Sequence, residues 1–327
     1  KTMARATKPS RPDPGPRWWL AAGLVLVLVA ACGPTPAPTV ATPGPAGSLA
    51  AILQRGTLVV ATEADYAPQS ELNPDEVRAQ DTRCAPNQRT ENQFEGFDVD
   101  VAREVASRLG VELCLVTPRW TQVVSGNWDD LWDASIGSMV ITPERMQALY
   151  FSQPYTSGAA VLFVHEDNDT VVKPENLSGK RIGVCAGCAY EAYLEHTLVV
   201  PTQQIDFAID DPIIVGYDTD TSALQDLAAG DGVRLDAVLT DPDTGRSAIQ
   251  SGLPLKRLGG PLYYDFVAAA VDKSSHLDPV PLVKRLSEII QEMHGDGTLA
   301  RLSTQYYGAD WAQYAAQFDI EALEQYA

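Results

Sequence analysis

Twice along this chain, short apolar runs fit for buried strands alternate with stretches of helical apolar spacing, and that alternation restricts the fold more than any other feature. "TLVVATE", from Thr57, is Val-rich and has the length of a buried strand. In "FDVDVAREVASRLG" the residues Val101, Ala102, Val105, Ala106 and Leu109 recur at helical spacing, with Gly110 as a stop. "VELCLVTP" reads as a second strand and "DASIGSMVIT" as a third. After a break "KRIGVC" restarts the series, followed by a helix over "AYEAYLEHT", the strand "PIIVGYD", a helix over "SALQDLAAG" and the strand "RLDAVLTD". Near the end Leu282, Val283, Leu286, Ile289, Ile290 and Met293 form one helical stripe closed by Gly295. The doubled series predicts two α/β lobes, and 327 residues suffice for one large core or two smaller ones. The polar stretch 71–93, with Cys84 inside it, is long for a loop and predicts a functional or mobile segment. No internal repeat is visible.

An apolar content of 45% excludes both a membrane bundle and a disordered chain. A formal charge of −19 argues against nucleic acid as a partner, because phosphate recognition needs clustered positive charge. The N-terminal region differs in kind. Arg11 and Arg17 precede "WWLAAGLVLVLVAAC", whose apolar run from Trp18 to Ala31 is shorter than the ~20 residues of a spanning helix. That length favours a signal peptide over a membrane span, the other reading being an uncleaved anchor. Ala30 and Ala31 before Cys32, with Gly33 after it, resemble the lipobox of bacterial lipoproteins, which implies cleavage before Cys32 and a lipid on its sulfur. Met3 lies just behind Lys1, which leaves the start codon open. Cleavage between 31 and 32 removes Lys1, Arg5, Lys8, Arg11, Arg17 and Asp13, so the mature chain is more acidic still. Such charge predicts a body tethered above anionic lipid rather than lying on it. "GPTPAPTVATPGPAGS", residues 33–48, cannot form a core, and its prolines favour an extended spacer.

The stretches "LVVATEADYAP", "GFDVDVAREVASRLGV", "SMVITPERMQALYFSQPYTSG", "LSGKRIGVCAGCAYEAYL", "RLDAVLTDP" and "DGTLARLSTQYYG", in that order, resemble the family 3 solute-binding proteins, the amino-acid receptors of ABC importers. They span nearly all of residues 56–308, and "ITPER…FSQPY" with "GFDVD" is specific in combination. The resemblance implies a type II periplasmic-binding-protein fold, two α/β lobes joined by two crossover strands. It divides the chain into a signal peptide (1–31), a lipidated cysteine and linker (32–55), lobe one (56–163 plus 262–310), lobe two (164–261) and a C-terminal extension (311–327).

An amino-acid zwitterion needs a fixed cation for its carboxylate, an anion for its ammonium and backbone donors around both. Arg145, in "TPER", has the planar fork that grips a carboxylate; on sequence alone a surface salt bridge at a helix start is the other reading. Asp241, in "LTDP", matches the family's ammonium partner, although Asp before Pro is equally a helix N-cap. Gly137 and Ser138 stand where the family presents a carbonyl and a hydroxyl, and Val140 stands where a threonine or serine is common, leaving only its N–H. In the second lobe the loop 185–189 replaces a frequent Gly-Thr-Thr by Gly187, Cys188 and Ala189. The strand-to-helix turn at Cys185, Cys188 and Ala189 is therefore expected to recognise carboxylate through backbone N–H groups. The resemblance assigns the side-chain pocket to Glu63, Tyr66 and Trp120, with a basic amino acid as first expectation because a cation is drawn to both a carboxylate and aromatic faces. The plainer reading makes Tyr66 and Trp120 partly core and Glu63 a cap of the strand end.

Besides Cys32 the chain has Cys84, Cys114, Cys185 and Cys188, and in an exported protein four cysteines read as disulfides with three possible connectivities. The resemblance puts one pair in each lobe. A bridge between lobes would obstruct a hinge, which favours Cys84–Cys114 and Cys185–Cys188. A redox pair lacks the thioredoxin pattern, and zinc would need further ligands that His165, His196, His276 and His294 do not supply at metal spacing. No metal or cofactor is therefore expected. The expected function is a monomeric, lipid-anchored receptor on the outer side of the cell membrane, periplasmic or cell-surface, that hands an amino acid to an ABC permease. Two alternatives share the fold. One is a cyclohexadienyl-dehydratase-like enzyme, for which Glu63, Asp65 and His165 are candidates by residue type; the other is a ligand sensor without a transport role.

Overall fold

The structure is a computed structural model that describes residues 47–326; the signal peptide, Cys32 and most of the spacer lie outside the described residues. No helix among the described residues is long and apolar enough to cross a membrane.

Helix α1 (Ser48–Arg55) ends at Gly56, whose φ of 73° is the left-handed cap that a Cβ disfavours. Strand β1 (Thr57–Ala61) is buried at all five positions, as an unbroken apolar run requires when a strand is covered on both faces. Beyond it β2 (Asp65–Tyr66), β3 (Ser70–Leu72), β4 (Arg89–Thr90) and β5 (Phe94–Glu95) form the rim. There β2, β3 and β5 make a small sheet of their own, while β4 joins the main sheet. The polar stretch 71–93 is thus anchored: its β4 pairs with β6 (Glu112–Val116), and the Cys84–Cys114 disulfide ties it to that same strand. Between them α2 (Phe97–Leu109) buries Val101, Ala102, Val105 and Ala106 and stops at Gly110 in the left-handed region.

Helix α3 (Trp120–Val124) leads to β7 (Ala134–Ser135). The expected third strand is reduced to these two residues. At Ser138 the backbone turns to φ 52°, so the chain leaves the sheet and returns only in a single bridge between Val140 and Val267. The long strand β8 (Leu149–His165) then carries the chain into the second series, β9 (Arg181–Cys185), α4 (Ala189–Leu194), β10 (Ile213–Tyr217), α5 (Asp220–Leu227), β11 (Ala237–Thr240) and α6 (Pro242–Gln250). Strand β12 (Leu255–Asp272) brings it back to α7 (Val280–Gly295), α8 (Thr298–Tyr307) and α9 (Ala312–Ala315). All six residues of the predicted stripe in α7 are buried.

The main sheet runs β10-β9-β11-β8-β12-β7-β1-β6-β4. β8 and β12 pair antiparallel along almost their whole length, with register shifts between Leu258/Tyr263 and around Ala268. At one end β8 pairs with β11 through Val161, Leu162 and Phe163; at the other β12 pairs with β7 through Ala270. The architecture is the two-lobed α/β fold, with these two strands as the crossovers. The C-terminal segment packs on them: Trp311 O accepts from Ser157 N (3.1 Å) and Oγ (2.7 Å), Gln153 Nε2 donates to Ala315 O and Phe318 O, and the Phe318 ring lies 4.6 Å from that of Phe266.

A cleft between the lobes

The cleft walls come from loops at strand ends. One wall is built from elements outside the β8–β12 excursion: the end of β1, β2, α3 and the turn after β7. The other is built from elements inside it, at the β9–α4 turn and the starts of α5 and α6. Glu63, Tyr66, Trp120, Gly137, Ser138, Val140, Arg145, Cys188 and Ala189 line one cavity, together with Tyr190 and Asp220. Two other expected residues lie elsewhere. Cys185 ends β9 and is bonded to Cys188 behind the wall. Asp241 lines an adjoining chamber that shares Tyr66, Ser138, Val140 and Tyr190 with the first. Where the chambers meet, the Tyr66 and Tyr190 hydroxyls are 3.5 Å apart, and Asp241 caps α6. Its Oδ1 accepts from Asp243 N (2.7 Å), Thr244 N (3.2 Å) and, across the cleft, Gln69 Nε2 (3.0 Å).

Arg145 opens a short 3-10 turn and is 7% exposed. Its Nη1 donates to Val140 O and its Nη2 to Gly187 O, both at 2.9 Å, and its guanidinium carbon sits 5.4 Å from the Trp120 ring centroid. Burial pulls its pKa down to about 10, opposed by the tyrosine and carboxylate charges of Tyr263 and Asp265. None of its direct partners among the described residues is a carboxylate. A buried guanidinium hydrogen-bonded only to carbonyls retains donors for an anion.

The β9–α4 turn contributes differently from the expectation. Gly187 N donates to Glu191 Oε2 (2.7 Å) and Cys188 N to Cys185 O (3.2 Å), so two of the expected donors are engaged. Gly187, at φ 75°, instead turns its carbonyl across the cleft, where both Arg145 Nη2 and Trp120 Nε1 (3.2 Å) bind it. The Ser138 hydroxyl is also engaged: it donates to Asp98 Oδ2 (2.8 Å), while Tyr155 OH donates to Asp98 Oδ1 (2.9 Å) and accepts from Ser138 N (3.1 Å). Burial raises the Asp98 carboxyl to about 6, less than it otherwise would because these hydroxyls donate to it.

Sequence reasoning missed Tyr190 and Asp220. Asp220 is the first residue of α5, where an acid is so ordinary a helix start that nothing singled it out. It is 5% exposed, and its Oδ1 is buried without a hydrogen bond of ordinary geometry among the described residues, although the Thr240 hydroxyl lies close enough to lower its pKa. Burial lifts its pKa to about 7, and lifts that of Glu63 to about 8 with the Asp220, Asp98 and Asp65 charges adding to the shift. His165 lies at the far end of β8 opposite Leu255, with its Nδ1 accepting from Asp167 N, and is not part of the cavity that Glu63 lines.

The sequence pattern of the bacterial extracellular solute-binding proteins, family 3, matches residues 58–309. The chain belongs to that family. This family 3 protein is similar to the L-cystine-binding protein TcyJ of Escherichia coli (strain K12), with 28% identity over 265 residues covering 81% of this chain and 87% of TcyJ. Among solved structures it is similar to the arginine-bound form of truncated ArgBP from T. maritima, at a TM-score of 0.60 and 27% identity over 74% of this chain and 99% of that one. It also resembles the ancestral amino acid-binding protein AncCDT-1, described as a precursor of cyclohexadienyl dehydratase, at a TM-score of 0.62 and covering 80% and 100% of the two chains; at 24% identity that likeness bears on the fold alone.

Proposed function

We propose that this family 3 protein is a receptor that closes over an amino acid and delivers it to an ABC importer. The observation that carries this reading is the buried Arg145 guanidinium, which faces the cavity with carbonyls for partners and no carboxylate of the protein. A ligand carboxylate meeting the remaining N–H donors of the guanidinium would gain two charge-assisted bonds in a site shielded from water. Asp241, from the adjoining chamber, is the proposed ammonium partner, and Glu63, Tyr66 and Trp120 are the proposed side-chain pocket. TcyJ is a cystine-binding protein and ArgBP is seen with arginine bound. Cystine would bring a second carboxylate along with its second ammonium to Glu63 and Asp220, whereas a guanidinium brings positive charge alone and would be attracted by both. A basic amino acid is therefore the proposed ligand.

In this reading lobe one comprises residues 56–163 and 262–310, lobe two residues 164–261, and the mature chain is a monomer held to the outer face of the membrane by a lipid on Cys32. The reading is of a binding protein rather than an enzyme, because the acid and base candidates Glu63 and Asp65 have no His165 beside them in the cleft. The test is calorimetry of the mature chain against the standard amino acids. One or more should bind, and Arg145→Ala should weaken that binding about 100-fold or more, since two charge-assisted hydrogen bonds are lost. Folded wild-type protein that binds no amino acid overturns the reading.

A further inference from the structure

The cavity holds two carboxylates that face each other from opposite walls: Glu63 at the end of β1 and Asp220 at the start of α5. We propose that Asp220 is the second anionic partner of the ligand's cationic side-chain head, closing from the inner-excursion wall onto the cation that Glu63 holds from the other. The proposal rests on the reading of this cavity as an amino-acid site and names a residue that sets its specificity.

Three observations support it. Asp220 is nine-tenths buried, and its Oδ1 makes no hydrogen bond of ordinary geometry among the described residues: the neighbouring Thr240 hydroxyl lies close enough to lower its pKa without pairing fully with it, which leaves that oxygen room for a further donor. No cation of the protein serves the pair: Arg145, which lines the same cavity, gives its guanidinium to Val140 O and Gly187 O. The Cys185 and Cys188 sulfurs come within 4.8 Å of the Asp220 carboxylate, but they are bonded to each other, so the free oxygen is not one corner of a thiolate metal site. An organic cation matches the charge of the pair. Without it, closure brings two carboxylates together in a dry site; with it, the same closure places one positive charge between them. The cation is thus what makes the closed state favourable, and a neutral ligand of equal shape gains only the weaker bond of an uncharged donor from Asp220.

The test compares L-arginine with its uncharged isostere L-citrulline by calorimetry on the mature chain. Wild-type protein should bind L-arginine at least about 10-fold more tightly than L-citrulline. Asp220→Asn should weaken L-arginine binding roughly 10- to 100-fold, the range of one hydrogen bond between charged partners, and leave L-citrulline within about 3-fold. Unliganded Asp220→Asn should melt no lower than wild type; should it fail to fold, Asp220→Ser replaces it in the same comparison. An unchanged arginine-to-citrulline ratio in the variant, or a wild-type preference for neutral or acidic amino acids, overturns the clamp and leaves the receptor reading standing. Absence of binding to any amino acid overturns the receptor reading and the clamp with it.

Discussion

The carboxylates around the cleft show what burial does to single residues. It raises Glu63 and Asp241 to about 8, Asp220 and Asp265 to about 7, and Asp98 to about 6. A carboxyl whose folded pKa exceeds its unfolded value near 4 holds more protons in the folded state throughout the interval between the two. Its stabilising contribution is complete below the unfolded value and is lost as pH rises through the folded one. Carboxylates held low, such as Asp296 at about 2 through its bonds to Thr298 and Arg108, change ionisation below that window, and the one opposing group inside it, His294, whose pKa burial lowers, is a single imidazole against five carboxyls. The unliganded protein is therefore expected to melt at successively lower temperature from pH 5 to pH 8. A cationic ligand favours the ionised carboxylates, so the gain in Tm from saturating L-arginine should grow over the same range. Melting curves at four pH values, with and without ligand, check both slopes; a Tm that rises with pH in unliganded protein contradicts the first. At this scale Arg145 and Glu63 were legible because their motif context marked them. Asp220 was not, because its significance lies in the wall it faces and not in its neighbours along the chain.

At the scale of elements the two disulfides do different work. Cys84–Cys114 closes a separation of 30 residues and ties the polar rim to β6; Cys185–Cys188 closes a separation of 3 at the β9–α4 turn. By loop-closure entropy the first contributes about 4 kcal/mol and the second about 2 kcal/mol. Their effects on binding should rank the other way. The short ring holds Gly187 at φ 75° with its carbonyl facing Arg145 and Trp120, whereas the long one has no member on the cavity. Replacing both cysteines of the first pair by serine should lower Tm more and leave amino-acid affinity within about 3-fold; replacing both of the second should lower Tm less and weaken affinity about 10-fold, consistent with one displaced charged hydrogen bond. Paired melts and calorimetry on the two double variants decide it, and equal affinity losses would show that the short ring has no special role in the site. The elements themselves were largely legible. β1, α2, β6 and α7 follow unbroken apolar runs or helical stripes, which solvent exclusion alone explains. "DASIGSMVIT" was not, because the same apolar run serves a backbone that turns out of the sheet at Ser138, where a Cβ on Gly137 would meet the Thr62 backbone at 3.4 Å and the loop faces the cleft. Helix α4 is likewise six residues long, shorter than its apolar pattern suggested, since the chain reverses at His196 with φ 58°.

For the molecule as a whole, the question is what holds the walls together. The hydrogen bonds across the cleft among the described residues are few: Trp120 and Arg145 to Gly187 O, Tyr66 to Tyr190, Thr219 Oγ1 to Asp65 Oδ2 (3.5 Å), Thr221 Oγ1 to Asp65 O (3.2 Å), and those of Gln69. Gln69 makes two of them, donating from Nε2 to Asp241 Oδ1 and accepting at Oε1 from Thr244 Oγ1 (3.2 Å), and it is 3% exposed. Its backbone bonds, from N to Tyr66 O and from Asp98 N to its carbonyl, stay within its own wall, so truncating the side chain removes the crossing contacts and leaves the local fold in place. Losing one charged and one neutral hydrogen bond takes about 2 kcal/mol or more from the closed state, which shifts the open-to-closed ratio roughly 30-fold. Because a ligand enclosed by both walls can bind tightly only when they meet, the apparent affinity falls with the closed fraction. Gln69→Ala is thus expected to enlarge the radius of gyration of the unliganded protein in solution scattering, to weaken amino-acid binding by about 10-fold or more, and to return to the compact radius when ligand saturates it. The β8–β12 ribbon, with α9 and the Phe318 ring packed against it, is the part that must bend in that opening, and none of its contacts is touched by the substitution. A radius and an affinity unchanged from wild type would mean that the Gln69 bonds form only as a consequence of closure and do not help to hold it.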